Sequence, residues 1–101
     1  MLAFKIISDA GTASAGFLSA ISMAENGEIE KAFEIMKESE VSLVAAHKVQ
    51  TELLQKEVNG ESTEYSLLMV HAQDHLMNAI LLKDLAYSII CLNRKITELS
   101  K

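Results

Sequence analysis

The chain predicts an all-α fold: an antiparallel up-down-up bundle of three helices, in a single domain spanning residues 1–101. Three observations predict it. Hydrophobic residues make up 50% of the chain, proline is absent and glycine occurs 4 times, a composition that suits long helices and leaves a sheet short of turns. Two Asn-Gly steps, Asn26-Gly27 and Asn59-Gly60, read as helix ends, because glycine accepts the left-handed backbone found there. Between these marks apolar residues recur every three or four positions, the spacing of a helix face.

The first helix is expected over about 2–25, where Ile6, Ala10, Ala13, Phe17, Ala20 or Ile21, and Ala24 form one stripe. The second is expected over about 28–58, with Ile29, Phe33, Met36, Leu43, Ala46, Leu53 and Leu54 facing inward. The third is expected over about 64–99, starting near Thr63 or Tyr65. Short connections force neighbouring helices antiparallel. In the third helix the apolar residues, among them Leu76, Met77, Leu81, Leu82, Leu85 and Ile89, cover most of the circumference. A helix facing one core needs a stripe little wider than 100°, so self-association through this helix is the natural outlet.

From Leu76 to Leu92, 13 of 17 residues are apolar, yet a membrane span is disfavoured. Lys83 and Asp84 lie near the middle, where each charge would cost roughly 2.5–3.5 kcal/mol in a bilayer. No basic-then-apolar signal segment opens the sequence, and the single Cys91 fits a reducing compartment. The expectation is a cytoplasmic protein that is not itself membrane-inserted. A net charge of −5 argues against nucleic acid as a partner. No phosphate-cradling glycine motif is present, so no bound nucleotide is expected.

The most informative run is His71-Ala72-Gln73-Asp74-His75-Leu76-Met77. On a helix, His71, Asp74 and His75 share one face. Antiparallel register about a loop centred on Gly60 and Glu61 sets Gln50 level with His71 and His47 level with Asp74. His47, Gln50 and Thr51 are thus expected to face His71, Gln73, Asp74 and His75, as one polar layer inside an apolar rod. Such a layer suits three roles: satisfied core histidines, a transition-metal site such as zinc, or a nucleophilic histidine oriented by its neighbours. If His71 carries a phosphoryl group, its donor must arrive on another protein.

The sequence resembles the IIA component of the lactose/cellobiose family of the bacterial phosphoenolpyruvate-dependent sugar phosphotransferase system. The resemblance covers almost the whole chain and rests on Ala10-Gly11, Ala46-His47, Gln50-Thr51, and above all Val70-His71-Ala72-Gln73-Asp74-His75-Leu76-Met77, continued by Ile80-Leu81-Leu82-Lys83-Asp84. It implies a parallel homotrimer, and a phosphotransferase component in which His71 Nε2 takes a phosphoryl group from phospho-HPr. His71 would pass that group to a cysteine of the cognate IIB protein during uptake of lactose, cellobiose or a related sugar. It implies that Asp74 is an axial carboxylate, three copies meeting around a divalent metal ion such as Mg. Gln73, His75, His47 and Gln50 are the candidate supporting residues. The alternative is a non-catalytic helical trimer or regulatory relative that has lost transfer. Two departures keep it open: Asn78 where the family commonly has Thr, and Ser14-Ala15 where it often has a basic residue and then Ser. Cys91, Met69 and Met77 read as core filling, and the acidic side chains of Glu28, Glu30, Glu34 and Glu38 as a solvated surface.

Overall fold

The computed structural model describes residues 2–61 and 66–100; the expected start of the third helix at 64 and Tyr65 lie outside them. Helix α1 spans Leu2–Glu25, α2 Ile29–Val58 and α3 Leu67–Leu99, and no strand occurs among the described residues. The fold class is therefore the expected all-α three-helix one. The 33 residues of α3 account for about 50 Å at the helical rise, which sets the long dimension of a rod measuring 59 × 20 × 18 Å.

Both Asn-Gly steps act as expected. Gly27 has φ 83° and Gly60 φ 77°. Beyond α1, the Gly27 amide donates to Ala24 (3.0 Å) and the Glu28 amide to Met23 (3.0 Å). Beyond α2, Gly60 donates to Glu57 (3.1 Å) and Glu61 to Lys56 (2.9 Å). These paired bonds satisfy carbonyls that a helix end would otherwise strand. At the start of α3 the Ser66 hydroxyl accepts from the Met69 amide at 3.0 Å, a side-chain cap on the helix that carries the histidines.

The core is built largely from alanine. Ala10, Ala13 and Ala20 of α1 and Ala72, Ala79 and Ala86 of α3 are fully buried, while Phe17, Ile6, Met36, Leu76 and Ile90 fill the larger spaces. The α1 stripe is buried as its spacing predicts, with Ile21 half-buried. Small residues let helices approach closely. At Gly16 a Cβ would stand 1.8 Å from Ser39 Oγ, and that buried hydroxyl donates to the Ile35 carbonyl at 2.7 Å.

Helix α1 packs along both others, whereas α2 and α3 meet more sparingly and are tied by specific groups. Tyr87 donates to Glu40 at 2.9 Å and stacks on Phe33 with ring centroids 6.3 Å apart. Burial raises the Tyr87 hydroxyl above its ordinary pKa, and Glu40 adds to the shift by hydrogen bonding and charge. The second tie is Gln50 Nε2 donating to Gln73 Oε1. Gln50 thus meets Gln73 instead of His71. Because α2 ends at Val58 and α3 begins at Leu67, the mid-point of the connection lies beyond Glu61, and level partners slide along α3 by up to about one turn.

Candidate functional site

His71 is the fifth residue of α3, one turn beyond the capped start. Its imidazole is exposed, and so is Asp74, while His75 is half-buried. The i, i+4 spacing brings the two rings together. His71 Nε2 and His75 Nε2 lie 3.1 Å apart, with ring centroids at 4.5 Å and planes nearly perpendicular at 89°. One of the two nitrogens carries the hydrogen and the other accepts it. His71 and Asp74 also line one open cleft together with Leu67, Leu68 and Val70.

The expected polar layer does not form inside the chain. His47 is exposed, next to the buried Ala46 but off the stripe of α2 that Leu43, Ala46 and Val49 bury. Thr51 is exposed too, and its hydroxyl bonds back to the His47 carbonyl at 3.0 Å. Gln50 and Gln73 do meet, half-buried between α2 and α3. However, Gln73 stands two residues from His71, which turns the two side chains about 160° apart on a helix. The structure therefore brings together two sets, His71 with His75 and Gln50 with Gln73, on opposite flanks of α3.

Between these flanks runs a face that no other element covers among the described residues. Leu67 (84% exposed), Val70 (65%), Met77 (55%) and Leu81 (59%) lie open there, with Asp74 in their midst. Met77 and Leu54, expected in the core, are both exposed, whereas Met69 is buried as expected. Sequence reasoning foresaw an apolar excess on α3, with Met77 and Leu81 in it, but did not say which of its residues would face away from the bundle. The 3–4–3–4 spacing through Asp74 was the signal that would have done so. Among the described residues no three His, Cys, Asp or Glu side chains converge as metal ligands, so His71, Asp74 and His75 do not form a one-chain metal site. Asp74 offers its carboxylate on the open face.

Fold and site together define a small helical protein that displays a paired, solvent-accessible imidazole on a rigid helix. Comparison with known proteins gives that class a family. Residues 1–94 match the family described as PTS system, Lactose/Cellobiose specific IIA subunit. The lichenan-specific phosphotransferase enzyme IIA component of Bacillus subtilis is 48% identical over 95 residues, covering 94% of this chain and 86% of that protein. The lactose-specific EIIA component of Staphylococcus epidermidis is 42% identical over 95 residues, covering 94% and 91%. The crystal structure of the cellobiose-specific enzyme IIA from Bacillus anthracis superposes with a TM-score of 0.90 at 42% identity, covering 94% of this chain and 87% of that one. The chain belongs to the lactose/cellobiose-specific IIA family of the sugar phosphotransferase system, and is a phosphotransferase component of it.

Proposed function

We propose that this chain is a phosphocarrier in which His71 Nε2 accepts a phosphoryl group from phospho-HPr and yields it to a cysteine of the cognate IIB protein. The observation that carries the reading is the exposed His71 ring on a capped, continuous helix, its Nε2 in contact with a second imidazole. In the first step the Nε2 lone pair attacks phosphorus, an N–P bond forms, and the bond to the donor atom breaks with its electrons leaving on the donor. In the second step the cysteine thiolate attacks the same phosphorus, the N–P bond breaks, and the pair returns to Nε2. Such transfers need positioning and charge stabilisation more than covalent help.

His75 supplies part of that help. Attack requires the lone pair on His71 Nε2, so the hydrogen between the rings belongs on His75 Nε2, which then donates to an oxygen of the arriving phosphoryl group. The position near the start of α3 adds to this, since side chains lean toward the N-terminus and the helix dipole favours negative charge there.

The open stripe on α3 supports a homotrimer packed through that helix, because exposed apolar side chains recur along it from Leu67 to Leu99, with Asp74 among them, and such a stripe suits a matching helix. Asp74 then meets its copies at the axis, where converging carboxylates repel unless protons or a cation neutralise them. A divalent ion such as Mg, held by the three Asp74 oxygens, would supply that neutralising charge. Helix α3 meets the length and composition of a membrane span, but Lys83 and Asp84 interrupt it, and burial in a cytoplasmic trimer accounts for the same apolar surface. Relatives named for lichenan, lactose and cellobiose support a related sugar as the one whose uptake this chain serves.

The test is a mixture of enzyme I, HPr, phosphoenolpyruvate and this chain. It should give an acid-labile, alkali-stable phosphoprotein, and His71→Ala should abolish the label. Label persisting in that variant would move the site to His75 or His47. Normal assembly with no label on the parent chain would favour the non-transferring trimer.

A further inference from the structure

We infer that the His71–His75 pair is also a chelating site for a transition-metal ion of the zinc class, and that such an ion shuts transfer off by occupying the lone pair it needs. The site stands on the geometry of the two rings, whereas the shut-off rests on the phosphocarrier reading.

A metal held by two imidazoles fixes how far apart its donor atoms stand. With Zn–N bonds of about 2.0–2.1 Å, the two nitrogens lie about 3.3 Å apart at a tetrahedral angle and about 2.9 Å apart at a right angle. His71 Nε2 and His75 Nε2 stand 3.1 Å apart, between those limits. The rings meet edge to face, at 89° with centroids 4.5 Å apart, so nitrogen is turned toward nitrogen instead of being covered by a stacked ring. Both residues sit on one continuous helix with a capped start. The i, i+4 spacing is thus set before any ion arrives, and little ordering is left for binding to impose. The pair is open to solvent, so an ion can reach it.

The chemistry of the pair fits that geometry. Neutral imidazole is the form that ligates, and His71 Nε2 already offers its lone pair. His75 offers a second one once its hydrogen sits on Nδ1 instead of Nε2, a change of tautomer that loses no proton. With both Nε2 atoms on the ion, His71 has no lone pair for phosphorus and His75 no Nε2 hydrogen for a phosphoryl oxygen. One chelate removes attack and assistance together. Among the described residues no third His, Cys, Asp or Glu completes the set, so the remaining positions fall to water, as in open zinc sites. Imidazole suits zinc, copper and nickel, whereas magnesium prefers oxygen. The ion proposed for the Asp74 carboxylates is therefore a different one, on different atoms.

Zinc chloride titrated into the parent chain in magnesium buffer tests the site, with binding read by calorimetry and the imidazole signals by NMR. One zinc per chain is expected, shifting the ring signals of His71 and His75 and leaving those of His47 in place. His71→Ala and His75→Ala should each weaken binding at least about tenfold, since a lone imidazole loses the gain from two linked ligands. Asp74→Asn should keep the zinc. If His75→Ala fails to fold, His75→Gln, which keeps the size and removes the imidazole, should show the same loss. Affinity unchanged in both histidine variants would overturn the inference, as would shifts confined to His47 or zinc lost in Asp74→Asn alone. For the shut-off, zinc should stop labelling from phospho-HPr over the concentrations at which it binds the parent. His75→Ala should need at least about tenfold more zinc for the same inhibition, and equal sensitivity of the two would overturn the shut-off. Absence of label on the parent chain without zinc would instead count against the phosphocarrier reading and leave the metal site standing.

Discussion

Two faces of α3 are both rich in apolar residues and opposite in fate. The face turned toward α1 and α2 carries Ala72, Leu76, Ala79 and Ala86, all with 0% exposure. The face turned away carries Leu67, Val70, Met77 and Leu81, each more than half exposed, with Asp74 among them. The covered face uses small residues because its neighbours are helices of the same chain, held close by short connections. The open face uses large ones and includes a carboxylate, which no chain would gain by placing against its own core. Size and charge, more than hydrophobicity, tell a helix's internal contacts from its external ones.

Substitutions on the two faces should separate them, most strongly at the covered one. Leu76→Ala should lower unfolding stability by about 2–5 kcal/mol, since it opens a cavity among fully packed neighbours; urea titration measures it. Gly16→Ala, at the close approach of α1 to Ser39, should cost about 1–3 kcal/mol by overpacking, read the same way. Tyr87→Phe should cost about 1 kcal/mol through loss of the bond to Glu40. Because the Tyr87 pKa is raised in the folded chain, its contribution is complete below the ordinary tyrosine value and is lost as pH climbs through the higher folded value. The parent should therefore lose stability above about pH 10 more steeply than Tyr87→Phe does. Smallest of all should be Leu81→Ala on the open face, about 0.5 kcal/mol or less at dilutions where copies separate. At higher concentration Leu81→Asp should instead abolish the mass of the proposed trimer in light scattering while leaving the circular dichroism helical. A loss for Leu81→Ala in dilute chain as large as that for Leu76→Ala would erase the distinction between the faces.

The helices were legible because their ends and stripes are local. Asn26-Gly27 and Asn59-Gly60 need nothing beyond their own backbone to terminate a helix, and the Ala10–Phe17–Ala24 stripe needs nothing beyond its spacing. His71 and His75 were legible as a pair for the same reason. His47 was not, since it stands next to the buried Ala46 but off the stripe that α2 buries, and a step of one residue is enough to miss. Met77 was misplaced for a different cause: periodicity shows that a residue belongs to an apolar stripe, not whether that stripe faces the same chain or another. Gly16 carried no signal either, because its role depends on Ser39 approaching from a separate helix.

The measurement that bears most directly on the account is phosphorus NMR of the parent chain after incubation with phosphoenolpyruvate, enzyme I and HPr. One phosphoramidate signal is expected, assigned by ring correlations to His71 Nε2 and missing from His71→Ala. No signal from the parent, or one that survives in His71→Ala and assigns to His75 or His47, would contradict it.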